Sequence, residues 1–425
     1  MIPQNVFTPD KYPEYTYVER KHGEHEKDLK FELKGSSKII SISGPSKSGK
    51  TMLLNNVVDK LDYNLITVHG SNINSITSLW DNALDAIDAP TNTEIVEGTQ
   101  DETVKEGSAG IDISFANAGA GGSKREQDSS REAVNRERRG LKQITDIVNT
   151  DEFILYIDDA HYIDEEVHNE ISEGIKEAYG RDLSVCVAFI PHRSDDLVRA
   201  NPDLSGRIES IDIGYWNNTD LQKIGKKGFN ILNKSPSELL LQKLARESIY
   251  SPHIMQKLCL ELCKELEIYE KAGEMTPLQF ETEDLKKVLR TTAKNFYYDY
   301  STILEIISGE TTNNNGRNDY EFPLRGEGDI YDVILRALSM NPPKLTLDRQ
   351  KIIERVSHVC RNETPQSSNI IQTIQRMDKW VSKKIPENEH CFDWADDRNT
   401  LEIPDPYLIF CLRWSDTLNF EPSLQ

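Results

Sequence analysis

The sequence predicts an α/β fold: a parallel sheet with helices on both faces, followed by a helical region and a small closing unit of helices and strands. Three observations lead there. Short apolar runs recur at residues 38–43, 65–68, 153–157, 185–190 and 208–213, with helical segments between them; apolar strands alternating with helices indicate a parallel sheet covered on both sides. The first run ends in a glycine-rich turn, Gly44-Pro45-Ser46-Lys47-Ser48-Gly49-Lys50-Thr51. The third ends in two aspartates, Asp158 and Asp159.

Taken in order, residues 52–61 read as a helix directly after the glycine-rich turn, and residues 76–87 carry Leu79, Trp80, Leu84 and Ile87 at helical spacing. Residues 91–139 break the pattern. They are rich in Gly, Ser, Glu, Asp and Arg, which predicts a mobile insertion. After Tyr215 the chain reads as helical, with amphipathic segments at 220–232, 237–248 and 253–266 and a longer one at 283–307. Residues 308–326 form a polar linker rich in glycine and asparagine. Three helices at 330–339, 349–360 and 368–384, then strand-like runs at 390–394 and 400–403, predict a winged helix. The expected domains are a core over 1–215, a helical region over 216–307 and a winged helix over 327–425.

Composition narrows the function. A net charge of −21 at pH 7 is poorly suited to coating nucleic acid or an anionic membrane with the whole surface. No apolar run is long enough to span a bilayer, and the N-terminus lacks the apolar core of a signal peptide. The expectation is a soluble, cytoplasmic protein with no membrane partner. None of the six cysteines forms a C-x-x-C pair, so buried thiols are expected rather than disulfides or zinc.

Residues 44–51 fit G-x-x-x-x-G-K-[ST] completely, with a strand before and a helix after. Glycines let backbone N–H groups turn inward around phosphate oxygens, and the helix start adds its unpaired N–H groups. Lys50 would bridge the β- and γ-phosphates of ATP, Thr51 would ligate Mg²⁺, and Met52 follows in the nucleotide-binding set. Asp158, delivered by an apolar strand, would hold Mg²⁺, directly or through water; Asp159 would orient and polarise the attacking water. Arg193, at the end of another strand, faces the ligand crevice of such a sheet and would sense the γ-phosphate. Arg207, ahead of the last strand, could serve a neighbouring subunit as an arginine finger. The fold expected from these motifs is an ASCE-type P-loop parallel sheet.

Together these features resemble the AAA+ and STAND branch of P-loop ATPases, and within it origin-initiator-like ATPases with a helical lid and a C-terminal winged helix. Tyr17-Val18-Glu19-Arg20 resembles the V-G-R element that touches adenine there, which implies base contacts at Val18 and Arg20. Phe189-Ile190-Pro191-His192-Arg193 resembles the T-T-R sensor, and Ser251-Pro252-His253 the lid motif whose proline packs on the base. Residues 405–414 resemble the closing segment of these winged helices. The resemblance implies a slow, regulated ATPase switch that works as a homo-oligomer or with a separate effector protein, in prokaryotic signalling or defence against phage.

A DNA-associated loader is the alternative. Ile370, Ile374, Met377 and Val381 form one apolar stripe, while Arg376, Lys379 and Lys383 lie on another face that could meet DNA. The overall acidity favours a solvated or lid-facing role for that face. Trp380, Trp394 and Trp414 read as core rather than as a stacking platform.

Overall fold

The computed structural model describes residues 1–35, 38–89, 139–190, 201–309, 318–323, 326–385, 391–415 and 424. The expected 91–139 insertion therefore lies outside the described residues except for Arg139.

Five strands, β1 (Ile39–Ser43), β2 (Asn64–His69), β3 (Phe153–Asp158), β4 (Ser184–Phe189) and β5 (Ile208–Asp212), form one parallel sheet in the order β2-β3-β4-β1-β5. β4 thus stands between the strand that leads into the glycine-rich turn and the strand that carries the aspartates, as expected of the ASCE-type fold. Every residue of β1 is buried, and so is all of β3 beyond Phe153. This explains why both read as continuous apolar runs rather than alternating ones.

Side chains still alternate across the sheet with period two. Ile39, Leu155, Ile157, Val185 and Val187 pack with helix residues Leu79, Trp80, Ile171 and Ile175 on one face. Ile40, Ile42, Ile154, Tyr156, Cys186 and Ala188 pack with Leu29, Leu33, Leu53, Leu54 and Val57 on the other. The covering helices, in chain order after the short α1 (Pro3–Val6), are α2 (Glu24–Leu33), α3 (Lys50–Leu61), α4 (Ile76–Ala86), α5 (Leu141–Ile147) and α6 (His168–Gly180).

Four helices follow: α7 (Asn218–Ile231), α8 (Glu238–Glu247), α9 (Pro252–Glu265) and α10 (Thr282–Ile307), with a two-residue parallel pairing of β6 (Lys234–Ser235) on β7 (Thr276–Pro277). Each of the first three starts at a side-chain cap, from Asn217, Ser237 and Ser251 in turn. The polar 308–326 stretch is not wholly a linker. Its β8 (Tyr320–Glu321) pairs antiparallel with β9 (Glu327–Gly328).

The last part contains α11 (Ile330–Leu338), β10 (Thr346–Asp348), α12 (Arg349–Val359), α13 (Ser367–Lys384), β11 (Asp393–Ala395), β12 (Thr400–Glu402) and α14 (Pro406–Trp414). The two expected strands gain a third, β10, in an antiparallel sheet ordered β10-β12-β11. One apolar cluster joins α7 to α10 with α11 to α14 and with Val6 and Phe7. Within it the Arg413 guanidinium, fully buried, pairs with Glu247 at 2.9 Å, and Trp414 Nε1 donates to the same carboxylate at 2.8 Å. All six cysteines are buried and free.

Candidate functional site

The site lies at the carboxyl ends of β1 and β3. Parallel register sets Ser43 level with Phe189 and Asp212, and His69 level with Asp158. The turn after β1 and the aspartates after β3 are therefore two strands apart, roughly 10 Å across the sheet.

The turn closes tightly. A Cβ at Gly44 would stand 2.5 Å from Ile213 Cγ1, so no larger residue fits there. Gly49 has φ +98, which only glycine adopts readily, and α3 begins directly after it. Lys50 is buried, and its ammonium donates to the carbonyls of Gly44 and Pro45 at 3.0 and 3.1 Å, across the mouth of the loop. Burial lowers the Lys50 pKa; Asp159 and Asp158 work in the opposite direction but do not cancel it.

The Thr51 hydroxyl donates to Asp158 Oδ2 at 2.9 Å. Asp158 Oδ1 accepts from the Tyr156 hydroxyl at 2.7 Å and from the Asp159 N–H at 3.0 Å. Tyr156 also stands 3.2 Å from Thr51 Oγ1. The result is one hydroxyl oxygen and one carboxylate oxygen held side by side. Two neighbouring ligands of an octahedral Mg²⁺, each about 2.1 Å from the ion, lie about 3.0 Å apart. The Thr51–Asp158 pair fits that spacing and that oxygen chemistry.

Asp159 adopts the left-handed conformation, φ 50 and ψ 47. This is unusual for a non-glycine residue and typical of functional turns. Burial and the neighbouring Asp158 raise its pKa, against the pull of Lys50 and His69. Among the described residues no group of three or more His, Cys, Asp or Glu side chains could hold a metal; a Mg²⁺ held by Thr51 and Asp158 would take its other oxygens from water or a bound ligand.

Beside the loop is a cleft of about 500 Å³, its open mouth included, lined by Val18, Arg20, Ser48, Gly49, Met52, Leu53, Trp216, Ile224 and Pro252 among others. Trp216 Nε1 donates to the Ser48 carbonyl at 2.7 Å, and the Arg20 guanidinium lies 4.7 Å from the Trp216 ring centroid. Burial lowers the Arg20 pKa. The structure therefore gathers Val18, Arg20, Met52 and Pro252 at one cleft, beside the loop of residues 44–51.

One predicted residue is not brought in, and another falls outside the description. Arg193 lies outside the described residues. Arg207 is exposed just before β5, with its guanidinium 5.9 Å from the Tyr179 ring. β5 runs level with β1, so Arg207 stands at the end opposite to Gly44, roughly 20 Å along the strand direction. It cannot reach the loop of its own chain.

Several site residues went unread in the sequence. Tyr156 sits mid-strand and looks like ordinary core. Trp216 follows the last strand by a few residues and carries no motif. Its one signal is an aromatic at the carboxyl end of a parallel strand, where ligands bind.

Residues 33–192 match the family described as AAA domain. This segment holds the glycine-rich turn, β3 and the aspartates, and so carries an AAA-type P-loop fold. No curated protein sequence matches the chain. Among solved structures it is similar to a Walker-type ATPase of Pyrococcus abyssi (13% identity, 93% of this chain and 97% of that one, TM-score 0.47). It is also similar to Cdc6p from Pyrobaculum aerophilum (11%, 96% and 97%, TM-score 0.41) and to the RuvB Holliday junction branch migration motor of Thermotoga maritima (14%, 67% and 78%, TM-score 0.39). No helix among the described residues is long and apolar enough to cross a membrane.

Proposed function

We propose that this chain, whose residues 33–192 match the AAA domain family, is a Mg-ATP-binding and hydrolysing switch of the AAA+/STAND type. The observation that carries the reading is the 2.9 Å pairing of Thr51 with Asp158 beside the loop crossed by Lys50. The inward N–H groups of residues 44–51 and the start of α3 bind phosphate. Lys50 exchanges its two loop carbonyls for the β- and γ-phosphates. Thr51 and Asp158 hold Mg²⁺, which supplies charge neutralisation at the phosphates. Asp159, in its left-handed turn, orients a water and accepts its proton. Trp216, Met52 and Pro252 would hold the base, so that filling the cleft would tie α9 of the helical lid to the core.

In this reading Arg193 senses the γ-phosphate from within the subunit. Arg207, facing away from its own site, acts as a finger in a homo-oligomer. The unit of α11 to α13 with its three-stranded sheet is a winged helix, which presents a surface to a separate effector, as in prokaryotic anti-phage defence. The domains would be 1–215, 216–307 and 327–425.

Nucleotide binding and turnover of Lys50→Ala and Asp159→Asn test the core of this. Lys50→Ala is expected to lose tight ATP binding. Asp159→Asn is expected to bind ATP and lose turnover by about 100-fold or more. Equal turnover by wild type and Asp159→Asn would remove Asp159 from the mechanism. Mixing Lys50→Ala with Arg207→Ala subunits should restore part of the activity, and a strictly monomeric active protein would rule out the finger.

A further inference from the structure

Three residues that line the cleft beside the phosphate loop carry polar atoms that the chain itself leaves unpaired. His25 Nε2, Glu26 Oε2 and Ser48 Oγ are closed to solvent and have no hydrogen-bond partner, and all three residues line the cleft. His25 is buried, 6% exposed. Gln256 and Tyr17, which also line the cleft, are already engaged. Gln256 Nε2 donates to Thr16 Oγ1 at 2.9 Å, and its Oε1 accepts from the Thr8 N–H at 3.1 Å. The Tyr17 hydroxyl donates to Glu26 Oε1 at 2.7 Å. Glu26 therefore offers a single oxygen to whatever fills the cleft.

Buried polar groups are almost always paired, so unpaired ones in a cavity point to the complementary atoms of its occupant. A carboxylate oxygen can only accept, and so asks for an N–H or O–H. An imidazole nitrogen that carries the ring proton can donate. Burial and the nearby Arg20 and Lys21 lower the His25 pKa, which favours the neutral ring; the proposed pose uses the tautomer whose N–H is at Nε2. Trp216, Met52, Leu53 and Pro252 supply the flat apolar walls a heteroaromatic ring needs.

We propose that Glu26 and His25 select the base of the bound nucleotide by reading the amino-bearing edge of adenine. Glu26 Oε2 accepts from the exocyclic amino group, and His25 Nε2 donates to the adjacent ring nitrogen. Guanine in the same pose turns both bonds around: its carbonyl oxygen faces the carboxylate, and its ring N–H faces the imidazole donor. With Oε1 held by Tyr17, the carboxylate cannot make the paired contact with guanine's two neighbouring N–H groups. Selectivity thus comes from repulsion of the wrong base as well as attraction of the right one. This rests on the reading of the cleft as a nucleotide site.

The test is competitive binding of ATP, GTP, purine riboside triphosphate (which lacks the amino group) and inorganic tripolyphosphate. It is run on wild type, Glu26→Gln, Glu26→Ala, His25→Ala and Lys50→Ala. Wild type should prefer ATP over the amine-free analogue by about 10-fold or more, since sites built around a hydrogen bond reject partners that lack it. Both Glu26 variants should bring that ratio near one while binding the amine-free analogue as wild type does. The amide of Glu26→Gln should also recover part of the GTP binding, because it can donate to the guanine carbonyl while the His25 clash remains. The wild-type analogue comparison requires no variant to fold. Equal affinity of wild type for ATP, GTP and the amine-free analogue, with binding still lost in Lys50→Ala, overturns base reading and leaves the phosphate site standing. An ATP preference that persists in Glu26→Ala assigns selection elsewhere and also overturns it. No binding of any triphosphate, or binding indifferent to Lys50, overturns the nucleotide reading beneath it.

Discussion

The ammonium of Lys47, in the middle of the phosphate loop, lies 4.0 Å from the centroid of the Tyr407 ring on α14. Tyr407 also hydrogen-bonds His253 Nδ1, and His253 Nε2 lies 2.9 Å from Asp10. The Tyr407 backbone N–H donates to Asp405 Oδ1 at 2.9 Å. The N-terminal segment, the phosphate loop, the start of α9 and the start of α14 thus meet around one phenol. A change at the phosphates has a direct route to the C-terminal helix through Lys47.

That junction yields the first prediction. Tyr407→Phe keeps the ring and loses a hydrogen bond, and should cost about 1 kcal/mol of stability. Tyr407→Ala also empties a fully buried ring site and should cost about 3–5 kcal/mol. Hydrogen exchange in α14 and at the start of α9 should speed up together in both variants, most in Tyr407→Ala. Denaturation curves and exchange rates check this. Acceleration in only one of the two helices would mean that Tyr407 does not join them.

Glu247 and Arg413 give a second prediction. Neither is more than 1% exposed. Arg413 also reaches Asn341 Oδ1 at 2.8 Å and the Ser339 carbonyl. Arg413→Ala leaves the Glu247 carboxylate buried without its cation, and should destabilise by about 3–5 kcal/mol. Because α8 and α14 belong to one apolar cluster, the loss should appear as one cooperative transition spanning residues 216–307 and 326–415. Two separate transitions in the wild type would show that the cluster is energetically divided.

Asp159 predicts the pH dependence of turnover. A water-orienting carboxylate must be ionised. Its folded pKa is raised, by burial first and Asp158 second, so proton uptake begins at a higher pH than for an ordinary aspartate. Turnover should therefore fall as pH drops through that raised value, while ATP binding declines less. Residual turnover of Asp159→Asn should lack this acid limb. The check is turnover against pH for both proteins, with nucleotide saturation confirmed at each point. An identical limb in Asp159→Asn would assign the titration to another group.

The strands and most helices were legible because their signals are local. A fully covered parallel strand is a run of apolar residues, and the expected 153–157 run falls one residue short of the observed end at Asp158. β10 escaped because Thr346-Leu347-Asp348 has one buried side chain between two exposed ones, too short for a pattern. The phosphate loop and the aspartates were legible as motifs with fixed spacing. The cleft beside the loop was legible only in part: Val18, Arg20, Met52 and Pro252 were expected there, whereas His25, Glu26, Trp216 and Gln256 come from three distant stretches, and only folding brings them together. Lys47 could be read as a loop residue, but nothing local tells that its partner is Tyr407, 360 positions on.

The last prediction concerns α13. Its apolar stripe, Ile370, Ile374, Met377 and Val381, is buried, and Arg376, Lys379 and Lys383 are exposed. Trp394 and Trp414 are core, and Trp380 stacks on Tyr331 at 5.7 Å. The acidic strand region presses close to the basic face. Asp396 accepts from Gln375, the residue before Arg376, at 2.8 Å and from Trp394 Nε1 at 2.9 Å. Arg398, the one cation of that turn, is paired with Glu402 at 2.6 Å. Three phosphate contacts beside fixed carboxylates give a weak anchor. The slope of log affinity against log salt should be about −3, and duplex binding should fade near physiological ionic strength. The measurement is duplex binding across a salt series, with ATP and with ADP, for wild type and the Arg376→Ala, Lys379→Ala, Lys383→Ala triple variant. Tight binding at physiological salt that vanishes in the triple variant would promote a DNA-loading role over a protein-facing one. Altered ATP turnover or partner capture in that variant, without DNA binding, supports the switch, because the basic face then acts on protein.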